Sequence, residues 1–182
     1  TSIFYHKYNM RSRTSDWYET KIRYEKTMED GMQKKVSEQY VVDALSFTEA
    51  ENKIIEEMSS YISGEFTITD IKHASYKEIF FSENVNDDRW YKAKLQFITI
   101  DEKTEKEKRT AVYYLVQASS FPGAVKHIEE VMGTTQIDYV ISNLAETMIM
   151  DVYEHVTTKK PAERNDVPEY EQAEQQKEGE QV

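Results

Sequence analysis

Trp17, Lys21 and Arg23 fall on one side of a segment whose other side carries Tyr18, Ile22 and Tyr24, because successive residues of a strand point to opposite faces. Trp90, Lys92, Lys94 and Gln96 repeat the arrangement opposite Tyr91, Leu95 and Phe97. Indoles and cations together offer recognition and not bond-making: planar groups stack on the rings while Lys and Arg contact charge. The adjoining segments add Lys35, Gln39 and Val41 to the first set, and Arg109, Tyr113 and Leu115 to the second. The candidate binding face is therefore Trp17, Lys21, Arg23, Lys35, Trp90, Lys92, Lys94, Arg109 and Tyr113. The same pattern has a structural reading. Tryptophans can plug the ends of a barrel-like core while Lys and Arg lay their stems over a solvated sheet face. The pattern alone leaves both standing.

Other chemistry finds few candidates. His6, His73, His127 and His155 are the four histidines, and none sits in a HExxH or HxH arrangement; a metal site needs several converging ligands. The carboxylate pairs Glu56-Glu57, Asp87-Asp88 and Glu129-Glu130 fit solvated helix faces and a loop better than a partly dry catalytic site. With five glycines in all there is no Gly-rich phosphate loop, and no GxSxG motif occurs. No cofactor is expected. Cysteine is absent, which excludes disulfides, thiolate metal sites and a cysteine nucleophile, and fits a reducing cytoplasm.

The elements that must position the face read as follows. Residues 17–25 form a strand, Glu29-Asp30-Gly31 a turn, and 33–45 a second strand. Phe47, Ala50, Ile54, Met58 and Tyr61 recur at helical spacing, with Ser46 and Glu49 as a capping box and Ser63-Gly64 as the stop. Residues 65–81 read as one bent strand or two consecutive ones. A strand over 90–100, a charged turn over 101–107, a strand over 108–118 and a helix over 121–132 follow. Pro122 lies in that helix's first turn, and Gly133 ends it in a residue type suited to a left-handed turn. Strand-like sequence resumes over 136–156.

The order repeats because the wording repeats. Trp17-Tyr18 returns as Trp90-Tyr91, 73 positions on, and Tyr40 to Phe47 returns as Tyr114 to Phe121, 74 positions on. The expected architecture is α+β: internally duplicated ββαβ units related by a pseudo-twofold axis. Antiparallel sheet, continuous or facing, carries one helix per repeat on its apolar side. The expected organisation is an N-terminal extension (1–15), repeat one (16–82), a polar linker (83–89), repeat two (90–156) and a disordered acidic tail (157–182). The tail is rich in Glu and Gln and lacks the apolar mass to offset its ordering entropy. Met10, followed by Arg-Ser-Arg-Thr, is a possible start of the protein proper. Each repeat, at about 70 residues, is marginal as an independent core, so the two should pack as one unit.

The chain of 182 residues carries a formal charge of −11, which repels nucleic-acid phosphates and anionic membranes at long range. No apolar run is long enough to span a membrane as a helix.

The segments Trp17 to Met28, Tyr40 to Ala50, Ile62 to Phe66, Arg89 to Ile100 and Met148 to Tyr153 resemble a family of small proteins from Bacteroides-like bacteria known only as a domain of unknown function. The resemblance covers about residues 12–156. It implies a bacterial, cytoplasmic origin, places residues 1–9 and the tail outside the family domain, and brings no catalytic or binding residues with it.

The expected function is a non-catalytic binding or adaptor protein that presents the aromatic and basic sheet face, with a protein as the expected partner. One alternative is single-stranded nucleic-acid binding by base stacking, which the net charge disfavours. Another is an enzyme whose pocket lies where the repeats meet, with Lys21/Lys94 and Glu56/Glu130 as its nameable pairs. The oligomeric state is left open.

Overall fold

Period-two alternation and two apolar stripes at helical spacing lay down nine strands and two helices over residues 10–155, which a computed structural model describes. The order is β1 (Met10–Arg13), β2 (Trp17–Thr27), β3 (Gln33–Asp43), α1 (Phe47–Tyr61), β4 (Phe66–His73), β5 (Tyr76–Ser82), β6 (Arg89–Ile100), β7 (Glu107–Ala118), α2 (Phe121–Met132), β8 (Asp138–Glu146) and β9 (Ile149–Tyr153). The expected acidic tail and residues 1–9 lie outside the described residues.

Local signals explain the joints. Gly31 takes φ +81° in the β2–β3 turn, a conformation that costs glycine little, and the Asp30 carboxylate accepts from the Met32 N–H at 3.0 Å. Ser46 caps α1 by accepting from the Glu49 N–H at 3.1 Å, while the Glu49 carboxylate reaches back to the Leu45 N–H at 3.2 Å. Ser120 caps α2 through the Gly123 N–H at 3.1 Å. Ala50, Ile54 and Met58 are buried on α1, as are Ala124, Ile128 and Met132 on α2. Full burial of each isoleucine and methionine among them stabilises by roughly 1.5–3 kcal/mol. Phe47 and Tyr61, expected on the same stripe, stand 56% and 59% exposed at the helix ends. Gly133 is right-handed, with φ −64°, not left-handed as expected. Its side-chain position is closed for another reason, since a Cβ there would lie 2.7 Å from the Glu129 carbonyl oxygen.

The strands form two sheets, β1-β5-β7-β6-β8 and β4-β2-β3-β9. Most neighbours are antiparallel, but β5 joins β7 and β9 joins β3 in parallel. A purely antiparallel expectation misses this because it keeps each segment's last strand beside its own partners. Here β4 and β5 are two strands in different sheets, and so are β8 and β9. The last strand of each half lies in the sheet built mainly by the other half.

Each sheet carries one helix. Tyr18, Ile22, Tyr24, Tyr40 and Val42 pack with α1, and Tyr91, Leu95, Tyr114 and Val116 pack with α2. The opposite faces meet each other through Trp17, Val41, Ile149 and Val152 from one sheet and Tyr76, Ile79, Phe81, Trp90 and Leu115 from the other. The layers therefore run helix, sheet, sheet, helix. β1 falls within the expected N-terminal extension yet forms the edge of the five-stranded sheet, pairing Met10–Arg13 with Ile79–Ser82. Its short polar run hides it from sequence periodicity, and its anchors are distant: Arg11 and Arg13 both bind the Glu154 carboxylate, and Arg13 binds Asp43 at 2.6 Å.

Candidate functional site

The structure divides the nine candidate face residues by depth. Trp17 is 0% and Trp90 2% exposed, so the expectation of protruding indoles is corrected. The physical reason is that a second sheet, and not solvent, covers that end of the face. The ring centroid of Trp17 lies 6.3 Å from that of Phe81, and Phe81 meets Trp90 edge-on at 5.6 Å. The tryptophans are core residues, but they lie between two sheets and not at the ends of a barrel. The Trp17 Nε1–H has no partner among the described residues.

The cations remain near the surface, in four separate places. Arg23 and Lys35 border a 630 Å³ hollow at the end of the first hairpin, where Glu25 and Glu65 also line the wall. Arg109 is exposed and neutralised, its Nε donating to Glu107 at 2.6 Å. Lys21 lines a 50 Å³ dimple with Glu19, Gln39, Asp70 and Lys72, where Lys72 and Glu19 pair at 3.5 Å.

Lys92, Lys94 and Tyr113 stay together. They line a 420 Å³ groove over β6, β7 and β8 with Gln96, Ser142 and Asn143. Register explains the grouping: Lys94 pairs with Tyr113 on one neighbour strand and Asn143 on the other. A bulge falls between Lys94 and Leu95 against β8, and the Ser142 hydroxyl donates to the Lys94 carbonyl at 3.0 Å. Bulges bend a strand and re-aim its side chains. The Lys92 ammonium lies 5.3 Å from the Tyr113 ring centroid and 5.6 Å from that of Tyr76. Neither Lys92 nor Lys94 forms an ion pair with a described carboxylate. The nearby Glu19 is already engaged, accepting from the Tyr76 hydroxyl at 2.5 Å and from Lys72. Burial, then that hydrogen bond, raises the Tyr76 phenol above its ordinary pKa.

Sequence reasoning missed Ser142 and Asn143, because they reach the groove only through the bulge. It also missed a buried carboxylate in the α1 core. Glu38 accepts from the hydroxyls of Tyr24 and Tyr40, and burial, then these hydrogen bonds, raises both phenols. A signal existed, since Glu38 shares the apolar parity of Val36, Tyr40 and Val42.

No described group of three or more His, Asp or Glu is placed to hold a metal. His127 Nδ1 meets the Gln117 carbonyl at 2.9 Å and His73 stands 3.7 Å from Asp16. The pairs considered for an enzyme do not converge: Lys21 and Lys94 line different cavities, and Glu56 and Glu130 lie on separate helices. Where the two sheets meet, the space is filled by the apolar cluster around Trp17 and Trp90.

The fold is mixed α/β, with two antiparallel-rich sheets and a helix on the outer face of each. The chain belongs to the family described as Domain of unknown function (DUF4494), whose model matches residues 16–155. No curated protein and no solved structure matches it. Among the described residues no helix is long and apolar enough to cross a membrane.

Proposed function

We propose that the protein is a non-catalytic binding module that takes an anionic group into the groove over β6, β7 and β8. One observation carries the reading: in a chain of formal charge −11, Lys92 and Lys94 stand half-buried in a concave surface with no described ion-pair partner. Of the other half-buried cations, Arg13 and Lys53 pair with Asp43, and Lys21 shares its dimple with Glu19 and Asp70; the remaining described cations without an ion pair are exposed. A partly desolvated ammonium without a counter-charge is costly, and a bound anion offsets that cost. An adaptor role fits if the anion belongs to a partner protein.

The internal duplication is part of this reading. It is supported by bulges at Lys21/Ile22 and Lys94/Leu95 and by the matched bonds from Thr69 to the Lys21 carbonyl and from Ser142 to the Lys94 carbonyl. The cytoplasmic, bacterial setting rests on the cysteine-free composition and the family resemblance. Base stacking on the tryptophans loses its footing because those rings are buried.

Thermal-shift measurements with a panel of small anions and acidic peptides, on wild type and on Lys92→Gln/Lys94→Gln, test the proposal. Stabilisation of wild type that the double variant lacks is the expected result. If no anion raises the wild-type midpoint at millimolar concentration, the groove is not a binding site.

A further inference from the structure

Resting on that assignment of the groove, we propose that its occupant is a small phosphate monoester in the dianionic form. The first half of the chain supplies an internal comparison. In the β2–β4 ladder Lys21 pairs with Asp70 and Glu19 with Lys72; in the β6–β8 ladder Lys94 pairs with Asn143 and Lys92 with Ala145. The dimple at Lys21 thus holds two ammonium groups and two carboxylates, and it is about an eighth of the size, 50 Å³ against 420 Å³. The groove at Lys94 holds two ammonium groups and no carboxylate. The scaffold therefore does not require the excess positive charge, because the corresponding strands of the other half set as many carboxylates as ammonium groups around their dimple.

A dianion balances the two lysines, whereas a monocarboxylate leaves one uncompensated. Neutral donors stand beside them: the amides of Asn143 and Gln96 and the hydroxyl of Tyr113. Lys92, held against the faces of Tyr76 and Tyr113, leaves Lys94 the freer of the two to close on the phosphate. The volume falls within the roughly 300–1,000 Å³ usual for small-ligand sites. A strand of phosphates would meet the repulsion of the net charge along its whole length, whereas a single phosphate group meets it at one place.

Isothermal titration of the full chain at low salt with adenosine 5′-monophosphate, inorganic phosphate, adenosine and acetate tests the assignment. Saturable binding of the two phosphates, and none of adenosine or acetate, is expected. Affinity for the monophosphate should rise about tenfold between pH 5 and 7.5, as its second proton leaves near 6. Asn143→Asp, which writes the first half's carboxylate into the groove with almost no change of shape, should weaken binding at least tenfold. Asp70→Asn should leave binding unchanged. Acetate binding as well as the monophosphate, with no pH dependence, overturns the phosphate assignment and leaves an anion site. A phosphoserine peptide or an oligonucleotide binding more tightly than the monophosphate overturns the small-molecule source. No binding of any anion overturns both this inference and the function proposed above.

Discussion

Lys94 lies opposite Asn143 in the β6–β8 ladder, where the four-stranded sheet sets Lys21 opposite Asp70. The backbone around both lysines is held alike, by a bulge and a hydroxyl bonded to the lysine carbonyl at 3.2 Å for Lys21 and 3.0 Å for Lys94. What differs is the side chain across the ladder. Lys94 is therefore not needed by the fold itself: Lys94→Ala, which removes a half-buried ammonium without a counter-charge, should leave stability unchanged or raise it by up to about 1 kcal/mol, measured by urea denaturation.

The two indoles hold the sheets together. Acrylamide should quench the fluorescence of the native protein weakly and that of the urea-unfolded chain strongly. Trp17→Ala should cost about 3–5 kcal/mol. Trp17→Phe should cost less, because it removes an N–H that is buried without a partner and so relieves a penalty of about 1–3 kcal/mol. Strong quenching of the native state would contradict the packing of the sheets.

Asp43 gathers three donors: Arg13 at 2.6 Å, Lys53 at 3.3 Å and the His155 N–H at 2.6 Å. Its side chain is 5% exposed. Arg13 keeps Glu154 and Lys53 keeps Glu49 when Asp43 is removed, so Asp43→Ala should destabilise by about 1–3 kcal/mol, chiefly through the buried donors left unmade. Asp43→Asn should cost less, since an amide oxygen can still accept from His155. Gln117 does this in the other sheet, where its Oε1 accepts from the Ser82 N–H at 2.9 Å. Chemical denaturation of the two variants gives the comparison.

Glu38 makes a polar island under α1 where the five-stranded sheet has Val112, and Tyr24 stands where it has Phe97. Glu38→Val strands two buried phenols, at about 1–3 kcal/mol for each unmade bond. Adding Tyr24→Phe should recover part of that loss. The pair should thus be non-additive in a double-mutant cycle, with the double variant more stable than Glu38→Val alone.

Stability should fall at both ends of the pH scale, for different groups. The hydrogen bond from Arg11, reinforced by Arg13, holds the Glu154 carboxyl below its usual range. A lowered folded-state pKa stabilises fully above the ordinary value of about 4.3 and loses its effect as pH falls through the lower one. The difference in midpoint between wild type and Glu154→Gln should be steady near neutrality and shrink below about pH 4. Burial raises the phenols of Tyr114 and Tyr153 to about 12. A raised phenol favours the fold below its ordinary value of about 10, and that contribution is lost as pH climbs through about 12. Exposed phenols such as Tyr61 should ionise in the native state, and a further rise in tyrosinate absorbance should accompany the loss of native circular dichroism.

Local order was readable from residue types, and long-range order was not. The spacing of Ala50, Ile54 and Met58 and the serines at 46 and 120 place both helices, because capping and amphipathicity act within a few residues. Parity correctly separates the Tyr18 side of β2 from the Trp17 side. It cannot say what covers the Trp17 side, since a second sheet and open solvent impose the same alternation. The parallel partners of β5 and β9 lie on strands of the other half, and no local pattern records them. The groove was half visible: Lys92, Lys94 and Tyr113 follow from alternation, while Ser142 and Asn143 depend on a one-residue bulge in β8.

The exchange of last strands has a consequence during synthesis. While the chain is emerging from a ribosome, β3 keeps an unpaired hydrogen-bonding edge until Ile149–Tyr153 has been made, more than 100 residues later. An open edge of that kind is a template for the wrong chain. Neither sheet can be finished by its own half, so a nascent protein of this design is vulnerable until almost the last residue of β9 has left the exit tunnel.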